Sequence, residues 1–501
     1  MLDVMKPAIM VQGTGSNVGK TIIVAGLCRL LKNRGYNVYP FKPQNMSNNA
    51  YVTADGGEIG RAQALQAQAC RVEPSVHMNP VLLKPEAMGG AQIVVQGKHT
   101  QTVSAREYTE KKGKLLSRVA ESFHYLEEQA DIIIAEGAGS PAEMNLRCDD
   151  IANMGFAHAV GMPVLLVGDI DRGGIIAQIC GTYDILPLDD RQHIKGYIIN
   201  KFRGDVTLFN DGLEIIGQHT GLPSLGILPW IEETDILPKE DTASFVREKK
   251  SKKSTEIQIR IAVLKFPRIA NFDDFDPLSN DPCVDFLMVH AGEIIPFDAD
   301  LVILPGSKST VHDLAFLREQ AWDVDLRAYI RRGGKILGLC GGYQMLGHII
   351  RDTEQGRVCN ALGLGLLDIE TVMLPEKTVS RVSGYDLASS VRVEGYEIHM
   401  GITKGSDCAR AWLCVNGEND GAMNKAGSVM GCYMHGLFTQ DSFRKVFYER
   451  IVGDSFQNSK NEPLLFSYLS SVEQVIDTLA EKMEACLNIN CILDFANKRF
   501  Q

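Results

Sequence analysis

Nothing in this chain of 501 residues reads as a membrane anchor, since no apolar run approaches the roughly 20 residues that a spanning helix needs. The segment ahead of Ala8 passes through Lys6-Pro7 and lacks the apolar core of a secretory leader. The expectation is a cytoplasmic protein that engages no membrane. No C-x-x-C pair occurs among the 12 cysteines, and the spacings Cys408 to Cys414 and Cys486 to Cys491 are too wide for a zinc knuckle. Most of these thiols are expected to be small buried hydrophobes. A basic excess is also missing. The formal net charge is -11, which disfavours a nucleic-acid partner. The one basic run, Arg247-Glu248-Lys249-Lys250-Ser251-Lys252-Lys253, contains no aromatic residue and reads as a solvated linker. Internal repeats and low-complexity tracts are absent.

What the chain has is alternation. Short apolar β-branched runs at 8–11, 38–41, 132–135, 164–167 and 197–199 are separated by helical stretches such as 21–33, 59–70 and 106–129. That order predicts a parallel sheet with helices on both faces. A second series follows the basic run, with strands at 259–264, 301–304, 335–339, 396–399 and 429–433 and a helix at 321–331. The fold class is therefore α/β, with two doubly wound, mostly parallel-sheet domains. The expected division is 1–240, a linker at 241–257, a second domain at 258–450, and a C-terminal helical extension at 451–501, with helices at 442–451 and 472–487.

Two segments carry chemistry. The first is Gly13-Thr14-Gly15-Ser16-Asn17-Val18-Gly19-Lys20-Thr21, directly after the strand at 8–11. Its glycines let main-chain N–H groups turn inward, and the helix start adds positive potential, so the segment suits a polyphosphate. Lys20 would reach the terminal phosphates and Thr21 would sit on Mg²⁺. The spacing departs from the common form, because Thr14 stands where the first glycine is expected. Glu136, at the end of its strand, and Asp55, in Thr53-Ala54-Asp55-Gly56-Gly57, are the candidate metal carboxylates. Lys42 would steady phosphate charge, and Asn200, beside Lys201, would read the nucleobase.

The second segment is Gly338-Leu339-Cys340-Gly341-Gly342, between a strand and a helical stretch at 343–350. Small neighbours permit a tight turn that exposes the sulfur, and the following helix start lowers its pKa. His435 is the candidate base. Main-chain N–H groups near Gly306 and Ser307, and at Gly341, are the candidate oxyanion donors. Glu397 and His399, in Gly395-Tyr396-Glu397-Ile398-His399-Met400-Gly401, are candidates to orient the base or contact substrate.

These motifs also carry a family likeness. The Gly-Thr-x-x-x-x-Gly-Lys-Thr loop, Phe41-Lys42-Pro43, Glu136-Gly137-Ala138-Gly139 and Leu228-Pro229-Trp230 resemble the dethiobiotin synthetase superfamily, whose members activate a carboxylate with ATP. The stretch Gln44-Asn45-Met46-Ser47-Asn48-Asn49-Ala50 narrows the likeness to the cobyric acid synthase branch. Cys340-Gly341-Gly342-Tyr343-Gln344-Met345-Leu346-Gly347 resembles class I glutamine amidotransferases, whose cysteine releases ammonia from glutamine. Their usual third member, a glutamate two residues after the histidine, is here Leu437, so another group must orient His435 or the imidazole works unaided. The resemblance implies ATP, Mg²⁺ and glutamine as reactants, a corrinoid substrate, and amidation of the b, d, e and g carboxylates of adenosylcobyrinic acid a,c-diamide. A homo-oligomer is compatible with it. Three alternatives stay open at this point: the sister a,c-diamide synthase, a partitioning or scaffolding ATPase of the same loop superfamily, and a ligase whose second domain only binds a regulator.

Overall fold

In the computed structural model, residues 5–86, 90–239, 259–354, 357–453 and 466–500 are described, and the linker expected at 241–257 lies outside them. The first sheet has six parallel strands in the order Ser224–Pro229, Ile194–Phe202, Val164–Asp169, Ala8–Gly13, Ile132–Glu136, Val38–Phe41. The chain leaves Ala8–Gly13 toward one edge and later crosses to the other side of that strand. A crevice therefore opens at its carboxyl end, where ligands bind in such folds. The strands read as continuous apolar runs because both faces are covered: Ile9, Val11 and Val167 pack into one cluster, and Met10, Ile133 and Leu166 into another.

The second sheet repeats the plan, with Val284–Val289, Ile259–Leu264, Leu301–Leu304, Lys335–Leu339 and Val429–Cys432 in that parallel order, and Ala422–Met423 antiparallel at one edge. Several local expectations are corrected. The helix expected at 106–129 is divided into Ala105–Lys111 and Leu116–Glu127 around a 3-10 turn, where Gly113 lies so close to Asp149 that an added Cβ would sit 3.0 Å from its carboxylate. The stretch at 343–350 is helical only over Gly341–Leu346 and then becomes the strand Ile349–Glu354. Residues 396–399 do not join the parallel sheet; they lie in Arg392–Lys404, paired antiparallel with Glu370–Asp386. Between Val38–Phe41 and Ala105–Lys111 the chain also builds a four-stranded sheet and a hairpin, Ala50–Val52 with Glu58–Gly60, which the alternation did not announce.

Near its end the chain returns to the first unit. The helix Tyr468–Cys486 lays Val472, Ile476, Leu479 and Met483 against Ile23, Leu27 and Leu30 of the helix Lys20–Asn33. Arg29, fully buried, pairs with Glu473 at 2.7 Å and Asp477 at 2.8 Å. Truncating a fully buried leucine such as Leu479 to alanine costs about 2–5 kcal/mol.

Candidate active sites

The nucleotide loop is built as its sequence suggests. Gly19 precedes the helix with φ of 101°, and a Cβ there would collide with the Asn200 amide, so the position requires glycine on both counts. Lys20 Nζ crosses the loop to the carbonyls of Gly15 (3.0 Å) and Gly139 (2.9 Å). Gly13 lies beneath it, with Nζ 2.9 Å from where a Cβ would stand. Thr14 is tied to the sheet through its N–H to the Val167 carbonyl, while its hydroxyl donates to Gln178. Asn200 Nδ2 donates to the Val18 carbonyl, and Lys201 Nζ to the Asn17 carbonyl and to Asp169.

Glu136 is the centre of the site and is wholly buried. One carboxylate oxygen accepts from the Thr21 hydroxyl (2.9 Å) and pairs with Lys42 Nζ (2.9 Å); the other accepts from Gln66. Asp55 is not brought here. It sits on an exposed turn with its carboxylate on the Thr53 hydroxyl, and Gln66 is the side chain that reaches Glu136 instead. A cavity of about 340 Å³ opens from Lys20, Thr21 and Glu136 past Asn200 to Trp230, and the C-terminal helix supplies Leu479 and Met483 to its apolar end. The Arg203 guanidinium lies 3.8 Å over the Trp230 ring. The donor set of one carboxylate and one hydroxyl fits a hard ion such as Mg²⁺, which takes one or two carboxylates and completes its shell with water and phosphate oxygens.

The cysteine elbow is strained in the manner its glycines predict. Cys340 has φ of 48° and ψ of -107°, between Lys335–Leu339 and Gly341–Leu346. A Cβ on Gly342 would stand 2.0 Å from the Leu304 carbonyl oxygen, so the turn tolerates no side chain there. The Cys340 thiol faces the Ile398 carbonyl at 3.5 Å. Gly341 packs on the Ser307 main chain, where a Cβ would lie 2.8 Å from Ser307 N, and Gly306 packs on the His435 ring, 3.1 Å from its Cε1 by the same measure. Both candidate oxyanion positions thus flank the sulfur and the imidazole. Cys340, Gly341, Ser307 and His399 line a second cavity, of about 740 Å³.

His435 is fully buried and held from three sides. Its Nδ1 meets Asp274 Oδ2 at 2.7 Å, its ring stacks on Tyr396 at 5.3 Å, and its Nε2 faces the Asn271 amide at 3.1 Å. Asp274 is itself fixed by the Gly436 N–H (2.7 Å). Burial alone lowers the pKa of the imidazole, but Asp274 and the Cys340 sulfur outweigh it and hold it well above its ordinary value. Glu397 does not orient the base; it faces His399 at 3.7 Å, and the motif around it instead supplies Tyr396 to His435 and the Ile398 carbonyl to Cys340. Leu437, at the position of the usual glutamate, is buried in the core.

Two family models match the chain, one over each unit. The CobQ/CobB/MinD/ParA nucleotide binding domain model matches residues 9–244, and the CobB/CobQ-like glutamine amidotransferase domain model matches 260–443. A cobyric acid synthase of Jannaschia sp. (strain CCS1) is 52% identical over 493 residues, covering 98% of this chain and 99% of that one. One of Rhodobacter capsulatus is 54% identical over 493 residues, covering 98% of this chain and 99% of that one. The chain belongs to the cobyric acid synthase family. It is a glutamine-dependent, amide-forming enzyme of cobalamin biosynthesis. The likeness spans both units, so a member of the cobyric acid synthase family carries the nucleotide loop and the cysteine elbow on one chain. Sequence reasoning missed Asp274, Asn271 and Gln66. The acidic pair Asp273-Asp274 after the strand Ile259–Leu264 was the only signal for the first; nothing marked the other two.

Proposed function

We propose that the enzyme amidates the b, d, e and g carboxylates of adenosylcobyrinic acid a,c-diamide, with Cys340 generating ammonia and the nucleotide loop activating the acceptor. The observation that carries the reading is the second half-site: a cysteine on a strained elbow beside a histidine whose far nitrogen is held by a buried carboxylate. The Cys340 thiolate attacks the side-chain carboxamide carbon of glutamine. Main-chain N–H groups near Gly306 and Ser307, and at Gly341, receive the oxyanion, and the His435 imidazolium gives its Nε2 proton to the departing ammonia. Water then cleaves the thioester, releasing glutamate and restoring the thiol. Asp274 holds the ring in register for both steps.

In the first unit, Gly13, Thr14, Gly15, Asn17 and Gly19 shape the phosphate cradle, and Lys20 and Lys42 offset charge as the γ-phosphoryl group passes from ATP to a carboxylate oxygen. ADP leaves, ammonia attacks the acyl carbon, and phosphate departs as the new C–N bond loses its extra proton. Asn200 lies where the base would be read. Thr21 and Glu136 would hold Mg²⁺, which neutralises phosphate charge when bound. Ammonia must travel between the sites inside the protein, because in neutral water it is mostly ammonium and no nucleophile. Among the described residues no helix is long and apolar enough to cross a membrane, and the soluble reactants favour a cytoplasmic site of action. The test is mass gain on adenosylcobyrinic acid a,c-diamide with ATP and glutamine, beside the unsubstituted acid. Successive carboxyl-to-amide shifts on the diamide support the reading; shifts only on the unsubstituted acid move it to the sister reaction.

A further inference from the structure

Asn271 joins the two sites, although neither half-reaction requires it to. It stands before the turn Phe272–Phe275 with φ of 51°, a left-handed conformation that asparagine tolerates better than most residues. Its main-chain N–H reaches the Asn48 carbonyl at 3.4 Å, and its Oδ1 accepts the Ala50 N–H at 3.3 Å. Both partners belong to the nucleotide-binding unit, a few residues beyond Lys42, whose ammonium rests on Glu136. The other end of the same amide faces His435 Nε2. A second tie lies beside it, where Arg61 of the nucleotide-binding unit pairs with Asp273 at 2.9 Å, next to Asp274.

Donor counting shows which ring state this contact favours. A main-chain N–H cannot accept, so Ala50 draws Oδ1 to itself and leaves Nδ2 toward the ring. Nδ2 carries only hydrogens, so this contact favours a lone pair on Nε2 and a ring proton on Nδ1, against the pull of Asp274 and Cys340 toward the charged ring. Attack on glutamine needs the opposite state, a thiolate beside an imidazolium bearing Nε2–H. That proton would stand donor against donor with the Asn271 amide. Asp274 and Cys340 favour the charged ring while the Asn271 donor opposes it.

We propose that Asn271 is a positioning residue that couples the reactions: docked on the main chain of Asn48 and Ala50 it sets a donor against His435 Nε2 and opposes a proton there, and movement of that segment when Lys42 and Glu136 engage nucleotide withdraws the donor and frees the ring for catalysis. The inference rests on the assignment of Cys340 and His435 to glutamine hydrolysis. Its effect is that glutamine is consumed only when a carboxylate is being activated.

The test measures glutamate release and amide formation on the full-length enzyme, with and without ATP and the corrinoid acceptor. In the unmodified enzyme both additions together should raise glutamate release by about tenfold, with glutamate and amide formed in step. Asn271→Gly keeps the left-handed backbone and removes the amide. It should release glutamate at the stimulated rate without ATP or acceptor, so that glutamate outruns amide, while ammonia-driven amidation reports an intact fold. Asn271→Asp still accepts from Ala50 but turns the contact with Nε2 from donor to acceptor, and should uncouple in the same direction. The proposal is overturned if glutamate release by Asn271→Gly still depends on ATP and acceptor. It is overturned equally if Asn271→Gly uncouples and Asn271→Asp does not, which would place the effect on docking rather than on Nε2. Cys340→Ala, measured alongside, separates this failure from failure of the underlying assignment: if it still hydrolyses glutamine, the assignment itself has failed.

Discussion

The two sites are assembled in different ways. The phosphate cradle is one continuous segment, Gly13 to Thr21, and its geometry follows from glycines, a strand end and a helix start that are neighbours in the chain. The assigned glutamine site draws Asn271 and Asp274 from one loop and Gly306, Cys340 and His435 from three others far along the chain, and only the packed sheet brings them together. A site of the first kind is fixed locally and then needs partners for charge, as Glu136 gathers Thr21, Lys42 and Gln66. A site of the second kind is only as good as the tertiary fit behind it, and its histidine is set by Asp274, Tyr396 and Asn271 together.

The contrast can be broken most sharply by paired substitutions. Lys20→Met should lower glutamine-driven and ammonia-driven amidation together, by about 10³-fold or more. Cys340→Ala should remove glutamine-driven amidation to a similar degree, about 10³-fold, yet leave ammonia-driven turnover at raised pH within about twofold. Loss of both activities in the cysteine variant would refute two separable sites. Next in size is Asp274→Asn, expected to cut kcat for glutamine hydrolysis by about 10²–10⁴-fold with ammonia-driven synthesis spared. A far smaller fall would mean that His435 keeps its register without the carboxylate.

Glu397→Gln sharpens the same point from the other side. Glu397 pairs weakly with His399 rather than with His435, so glutamine hydrolysis should change by no more than about fivefold. The smallest effect concerns stability. Lys308 borders the glutamine cleft, and burial, helped by Lys84 and Lys377, brings its pKa down to about 7. In the folded protein this lysine is deprotonated above that pH, while the unfolded chain keeps its proton up to about 10.5. The unfolded state then binds more protons, so Lys308 makes stability rise with pH across that window. In Lys308→Met the unfolding midpoint should rise less steeply there, as read by denaturant titration at several pH values; equal slopes in the two proteins would count against it.

What could be seen in the sequence follows the same contrast. The parallel strands were visible because strands buried on both faces are unbroken apolar runs, and Glu136 was visible because it ends one of them. The elbow was visible from Gly338 and Gly342, which the close approach of Leu346 to the first and of the Leu304 carbonyl to the second demands. Asp274 was not, because nothing local distinguishes it from Asp273 or Asp276 until the sheet folds. Asp55 was misplaced for the converse reason: an acid in a glycine-rich turn looks like a ligand, whereas this turn satisfies the carboxylate with its own Thr53 hydroxyl. The four-stranded sheet and the hairpin inserted after Val38–Phe41 escaped notice because several of their short strands are half polar and lack the long apolar signature of the main sheets.

The C-terminal helix has a consequence for how the molecule comes into being. Arg29 finds Glu473 across 444 positions of sequence, and Leu479 and Met483 complete the wall of a cavity whose loop is made long before them. Closing so long a span carries an entropy that grows only slowly with length, but it cannot begin before the helix Tyr468–Cys486 is made. A nascent chain therefore holds an unfinished nucleotide pocket throughout synthesis of the amidotransferase unit. The wall of that pocket closes only after the helix Tyr468–Cys486 has been made.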